Sequence, residues 1–421
     1  MKTALGIDFG TSNSALATCG PDGQVKLLSA KANGSSTVPT VLFFPHYARE
    51  VHVGHEAVGA YLESGFEGRF VQSIKAYLPS QTFTGTRIQN RFFSLEDLIS
   101  SFVTRLLKAA EAEHGLKPDG PVVVGRPARF SADPEAEKLA TDRLTRAIAQ
   151  AGLSDARFVI EPVAAALAYE SSLETDETVF VADLGGGTSD FAVMRVGPSY
   201  RAQADRADSI LSSGGLSVAG DRFDGEVVRA TVFPLLGWGT EYNTMTGPAR
   251  VPNWMYLRLL QWNHVSFLKS AKNIAFLRKV AETSRAKEAL SAFVRIVDED
   301  LGYILYRAVE MAKREASQGR SARIRDEENG LPVDTELTPE IFAEATHGLI
   351  EEIRGHALGV LADAQLKPND IDAVFITGGT GLLPVVRATF ETLFGADRVR
   401  SRHAFTSVAD GLARSAWSEL Q

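Results

Sequence analysis

Two stretches of this chain follow one plan. Gly6-Ile7-Asp8-Phe9-Gly10-Thr11-Ser12-Asn13 and Val181-Ala182-Asp183-Leu184-Gly185-Gly186-Gly187-Thr188-Ser189-Asp190 each lead from an apolar strand through an aspartate and an apolar residue into glycine, then into hydroxyl residues. Solenoid repeats recur every ~20–50 residues; two copies about 175 positions apart point instead to a duplicated domain. Glycine lets backbone N–H groups approach phosphate oxygens, because no Cβ intervenes. Thr11, Ser12 and Asn13 add side-chain donors. Asp8 and Asp183 repel phosphate and make sense only with a divalent cation between, which Mg²⁺ would satisfy through its retained waters. Taken singly, each loop also fits a hairpin turn with a solvated aspartate.

The rest of the first half alternates strand-like and helix-like stretches, an α/β pattern with parallel pairs. Ser94 is the expected cap of a helix carrying Leu95, Leu98, Ile99, Phe102, Val103, Leu106 and Leu107 at helical spacing and closed by Gly115. Pro134 opens a second helix and Gly152 closes it. Val122–Val124, Phe158–Ile160, Thr178–Leu184 and Asp372–Thr377 read as strands, and Val163–Glu170 and Pro384–Phe394 as helices. Residues 234–282 read as mostly helical, and Gln318–Asp334 as a loop or hairpin. The 421 residues predict two to three domains at ~100–200 each.

Several function classes fall away. With 52 acidic and 44 basic residues the net charge is −8, which gives no field for sequence-blind nucleic-acid binding. Cys19 is the only cysteine, so no internal disulfide or CxxC site forms; it reads as a small buried residue. No apolar run approaches the ~20 residues of a membrane helix, and Asp8 interrupts any leader-like start, so a cytoplasmic location is expected. G-x-S-x-G, HExxH and Walker A patterns are missing from the sequence. His52 and His55 lack the carboxylate spacing of a zinc site.

Other candidates are weaker. Glu161 precedes Pro162 at a strand-to-helix junction; a carboxylate there orients water or a cation, or simply complements the helix dipole. Gly378-Gly379-Thr380-Gly381 follows a strand and admits a flat ligand or a tight turn. Lys75 has the charge to meet a γ-phosphate, with nothing local to mark it.

In order along the chain, GIDFGTSNSA (6–15), IEPVAAALAYE (160–170), VADLGGGTSDFAV (181–193), GGLSVAGDRFD (214–224) and FITGGTGLLPVVR (375–387) resemble the nucleotide-binding domain of the Hsp70 chaperone family, within the actin/hexokinase/Hsp70 superfamily. Val124-Gly125-Arg126-Pro127 resembles the short bacterial YegD-type subgroup. The resemblance implies an α/β, two-lobed, actin-like ATPase fold. Its duplicated ribonuclease H-like domains, each on a five-stranded sheet, would surround a nucleotide cleft. It places lobe I at 1–173 and lobe II at 174–402 with a helical subdomain around 225–290. A C-terminal helix at 403–421 would return to lobe I, with no peptide-binding domain after it.

The same resemblance implies ATP or ADP with Mg²⁺, and a monovalent ion such as K⁺. Gly10, Thr11, Ser12 and Asn13 would hold phosphates from one side, and Gly185, Gly186, Gly187 and Thr188 from the other. Asp8 and Asp183 would meet Mg²⁺ through water. Lys75, Glu161 and Asp183 would place the attacking water, assisted by Thr188 and Asp190. Gly220 and Asp221 would lie near the ribose, Lys287 and Ser291 would meet ribose and adenine, and Gly378, Gly379 and Thr380 would line the base pocket. Two arginines that sandwich adenine in typical members correspond to Glu288 and Leu382, and the adenine-side glutamate to Ser284. Each lost cation–π partner costs roughly 0.5–2 kcal/mol. Two losses weaken binding by about 10–100-fold, so altered base recognition is expected.

The leading expectation is a slow, Mg-dependent ATPase whose lobes close on nucleotide and act on a partner or client protein, with no nucleic acid or membrane involved. An actin/MreB-like filament protein, a small-molecule kinase and a pseudo-ATPase nucleotide sensor share the same loops.

Overall fold

A computed structural model describes residues 3–28, 35–46, 50–116, 119–201, 206–261, 265, 268–400 and 407–420. Contacts divide the chain into two compact units. The first comprises residues 1–219, 353–382 and 386–421, and the second residues 220–352 and 383–385.

The first unit contains two sheets of the same design. Strands β1 (Ala4–Phe9), β2 (Asn13–Cys19) and β3 (Val25–Leu28) form antiparallel hairpins, and β4 (Val38–Pro39) pairs beside β2. Strands β5 (Val122–Arg126) and β6 (Arg157–Ile160) add in parallel on the far side of β1, giving the order β6-β5-β1-β2-β3. The second sheet repeats this with β7 (Glu177–Leu184), β8 (Ser189–Val196) and β9 (Ile210–Leu216) antiparallel. Here β10 (Ala373–Thr377) and β11 (Val399–Arg400) are the parallel additions, in the order β11-β10-β7-β8-β9. The expected sheet duplication is present, with β4 as a sixth strand on the first copy.

Alternation along β1 sorts its side chains to two faces. Leu5, Ile7 and Phe9 join a core with Leu98, Phe102 and Leu144, from helices Leu95–His114 and Pro134–Gln150. Ala4 joins a second core with Val179, Val181 and Ala192 and with the Glu161–Glu170 and Ser407–Trp417 helices. Small residues permit that second contact. A Cβ on Gly6 would meet the Ala413 nitrogen at 2.4 Å, and one on Gly411 the Ala164 carbonyl oxygen at 1.7 Å. Residues 403–406 and 421 of the expected C-terminal helix lie outside the described residues; Ser407–Trp417 is helical.

Helix ends follow the sequence signals. Ser94 and Asp97 form a reciprocal capping box at 3.0 and 2.9 Å, Gly115 closes the helix at φ +67°, and Pro134 stands at a helix start capped by Asp133. Two expectations need correction. The helix expected from Val163 begins at Glu161, whose side chain is buried. Residues 234–282 are less helical than their pattern suggests. Glu241–Thr244 and Gly247–Arg250 form a hairpin whose alternation is too short to register against the surrounding helical spacing. Residues 262–264 and 266–267 of that stretch lie outside the described residues.

The second unit is built on helices Ala271–Thr283, Lys287–Asp298 and Gly302–Ser317. The charged 318–334 stretch carries the first strand of a hairpin, Ala322–Ile324 with Thr335–Leu337. Tyr256 is fully buried among Phe233, Trp238 and Phe293, and donates to the Leu236 carbonyl at 2.8 Å.

Candidate functional site

The two echoed loops of the first unit meet. Gly10 has no room for a side chain: a Cβ there would lie 2.0 Å from the Asn13 carbonyl oxygen. The loop is pinned by the Thr40 N–H donating to the Ser12 carbonyl at 2.8 Å. Across from it, Gly185 N–H donates to the Thr188 carbonyl at 2.9 Å, closing the second loop. A Cβ on Gly187 would sit 2.9 Å from the Thr11 hydroxyl oxygen, so glycine allows the loops to approach. Ser12 and Asn13 are exposed and Thr11 is buried. The Thr380 hydroxyl donates to the Gly185 carbonyl at 2.6 Å, and Gly378 turns at φ +79° against the Leu184 backbone. Gly379 is exposed, beside Leu382.

Beneath the loops lie charges. Lys75 is buried, and its Nζ lies 2.5 Å from Glu161 Oε1. Lys75 sits on a tight turn, Ile74–Tyr77, entered through Ser73 at φ +50°. A left-handed, buried serine is strained backbone of the kind found where a side chain must be aimed. Arg143 fastens the exit of the turn by donating to the Leu78 and Ser80 carbonyls at 3.1 and 2.8 Å. Asp183 accepts from the Thr377 hydroxyl at 2.6 Å, and Asp190 from the Ala128 N–H at 2.7 Å.

The electrostatics record a surplus of negative charge. Burial pushes the Asp8 carboxyl well above its ordinary range, with Glu161 and Asp183 adding repulsion against the pull of Lys75. Burial and Glu161 raise Asp183 to about 6, despite the Thr377 bond and Lys75. Burial, Glu161 and Asp183 raise Asp190 to about 8, against the Thr188 hydroxyl and Lys75. Burial alone would lower the Lys75 ammonium, but Glu161 and Asp8 outweigh it and raise it. Four carboxylates around one ammonium suit a divalent cation, which would relieve this repulsion. Among the described residues, no three His, Cys, Asp or Glu side chains are grouped to hold a metal ion directly. Mg²⁺ commonly keeps several waters and meets one or two carboxylates, which Asp8 and Asp183 could supply.

The remaining predicted residues lie in the second unit. Burial and Asp224 raise Asp221 to about 7, opposed by Lys313. Asp224 Oδ1 pairs with Lys313 Nζ at 2.7 Å. Lys287 and Ser291 are exposed on the Lys287–Asp298 helix. Sequence reasoning passed over a second run, Glu310-Met311-Ala312-Lys313-Arg314-Glu315-Ala316-Ser317, on the Gly302–Ser317 helix. It carries Glu, Lys, Arg and Ser at the spacing of Ser284, Lys287, Glu288 and Ser291. Thr377, Ser73 and the Ala128 N–H were also missed, since their roles depend on folded contacts.

A family model described as Hsp70 protein matches residues 4–232 and 298–416. The chain belongs to the Hsp70 family. Its mixed α/β architecture of several sheets is consistent with the Hsp70/actin-like ATPase fold. Proteins it resembles include the "Chaperone protein DnaK" of Thermosipho africanus and of Thermosipho melanesiensis, each 28% identical, and that of Thermotoga neapolitana at 27%. Each alignment spans 410 residues, 97% of this chain and 58% of the relative. The chain thus spans a little over half the length of these Hsp70 relatives. Residues 233–297, with Ser284, Lys287, Glu288 and Ser291, fall outside the Hsp70 match, whereas 310–317 lies inside it. Among the described residues no helix is long and apolar enough to cross a membrane.

Proposed function

We propose that the chain binds ATP and ADP and hydrolyses ATP slowly, as the nucleotide-driven part of a chaperone-family protein. The observation that carries this reading is the approach of Thr11 and Gly187 above the buried Lys75–Glu161 pair. Two glycine loops presenting N–H groups and hydroxyls suit a polyphosphate chain. Asp8 and Asp183 would hold Mg²⁺ through its waters, and Mg²⁺ when bound supplies neutralisation of phosphate charge. Lys75 stabilises negative charge on the terminal phosphoryl group. Glu161, held by Lys75, and Asp183, held by Thr377, orient the attacking water. Positioning and electrostatics supply most of the rate in such a transfer.

For the base and ribose, Glu310, Lys313, Arg314 and Ser317 are the proposed contacts in place of Lys287 and Ser291. One of the two adenine-stacking arginines is then retained as Arg314, and Leu382 remains the substitution of the other. Base recognition is accordingly weakened by one cation–π partner, roughly 0.5–2 kcal/mol. The output we propose is closure on nucleotide, read by a protein partner. Calorimetric titration with Mg-ATP and Mg-ADP, followed by turnover of the same samples, tests the proposal. An Asp183→Asn protein with full hydrolysis would sink the catalytic scheme.

A further inference from the structure

The second unit carries a groove of about 440 Å³ whose lining includes none of the residues assigned above. One wall is the Gly220–Val227 helix and the π-type turn that continues it, Val228–Val232. Arg222, Glu226 and Arg229 recur on that wall at i, i+4 and i+7, one helical face. The facing wall is Leu257 and the turn Arg258–Leu260. This second wall belongs to the 233–297 stretch that the family model does not match, so the groove forms where an unmatched segment packs against a matched helix.

The groove is a built feature. Gly225 lets the walls touch: a Cβ there would lie 2.6 Å from the Leu260 carbonyl oxygen. The turn is held from beneath by Tyr306, whose hydroxyl donates to the Leu259 carbonyl, and by Leu259 itself, fully buried. Its chemistry is mixed. Its lining holds three arginines, Arg222, Arg229 and Arg258, and one carboxylate, Glu226, which pairs with Arg229 at 3.0 Å. Leu257, 48% exposed, supplies apolar surface at the lip, and Trp254, one turn earlier on the same helix face, is 44% exposed. Arginine is enriched among binding hot spots and recognises carboxylates in bidentate fashion.

We propose that this groove docks an acidic peptide segment of a partner protein, its carboxylates on Arg222 and Arg229 and an apolar side chain against Leu257 and Leu260. Charge complementarity selects the occupant: a lining of three arginines and one carboxylate on a chain of net charge −8 favours an anionic ligand. The inference does not rest on nucleotide binding.

The test is selection of a random 12-residue displayed peptide library on the full chain, then anisotropy titration of the enriched peptides. The expected result is enrichment of peptides with net negative charge and at least one large apolar residue. Arg222→Glu/Arg229→Glu should weaken them by 10-fold or more, and Leu257→Ser, as an independent exposed change, by about 3–10-fold. Four outcomes overturn the proposal: no enrichment, enrichment of basic or uncharged peptides, equal binding to both variants, or equal displacement by inorganic phosphate or a DNA 20-mer. Concentration-dependent dimerisation that Arg222→Glu/Arg229→Glu abolishes would also overturn it, by making a second copy the occupant.

Discussion

Lys75 Nζ lies 2.5 Å from Glu161 Oε1, both side chains buried and 86 positions apart in the chain. The pair anchors a site otherwise made of carboxylates. Replacing Lys75 with Met leaves the buried Glu161 and the half-buried Asp8 without their cation. Breaking one partner of a buried pair costs about 3–5 kcal/mol. Urea unfolding of ligand-free Lys75→Met should show that loss, and Lys75→Met/Glu161→Gln should recover part of it. ATP turnover should fall at least 100-fold in both.

Asp190 and Asp183 make the ligand-free protein sensitive to alkali. Each binds its proton more tightly folded than unfolded, with folded values of about 8 and about 6 against 3.8. The folded state then holds more protons between pH 4 and 8, so stability falls as pH rises through that window. The melting temperature of ligand-free protein should drop from pH 5 to pH 8. Asp190→Asn keeps an acceptor for the Ala128 N–H and should flatten the drop; an unchanged slope would show that Asp190 does not titrate there.

Close backbone approach at Gly411 predicts a purely structural effect. A Cβ there would overlap the Ala164 carbonyl, so Gly411→Ala forces the Ser407–Trp417 helix off its neighbour. Overpacking of this kind costs typically 1–3 kcal/mol. Denaturant midpoints should fall accordingly, whereas Gly115→Ala, with no atom within 4 Å but φ +67°, should lose only about 1 kcal/mol.

The two runs with the same spacing can be separated by affinity. Arg314→Ala should weaken Mg-ATP binding about 3–30-fold, the range expected for one lost cation–π contact. Lys287→Ala and Ser291→Ala should change it less than twofold. The reverse ranking would return the base contacts to the Lys287–Asp298 helix.

Much of this was legible in the sequence. The echo of Asp8-Phe9-Gly10 in Asp183-Leu184-Gly185 announced the duplicated sheets, because both strands must deliver an aspartate and a glycine to the same kind of turn. Ser94, Gly115 and Pro134 marked helix ends through local hydrogen bonding, which is encoded within a few residues. Burial was not legible. Lys75 looked like any solvated lysine, since only the Ser73 turn and the distant Glu161 define it. The hairpin at 241–250 is four residues a strand, too short to outweigh its helical surroundings. Two segments, 284–291 and 310–317, share one spacing, and spacing alone does not say which of them reads the base.

The account turns on whether the Thr11 and Gly187 loops hold a polyphosphate. Isothermal titration of the full chain with Mg-ATP, repeated with Gly187→Val, addresses it directly. The account predicts binding of Mg-ATP and Mg-ADP by the unaltered chain and loss of at least 10-fold in Gly187→Val, whose side chain would strike the Thr11 hydroxyl. No heat of binding at millimolar nucleotide, or equal affinity in the variant, would contradict it.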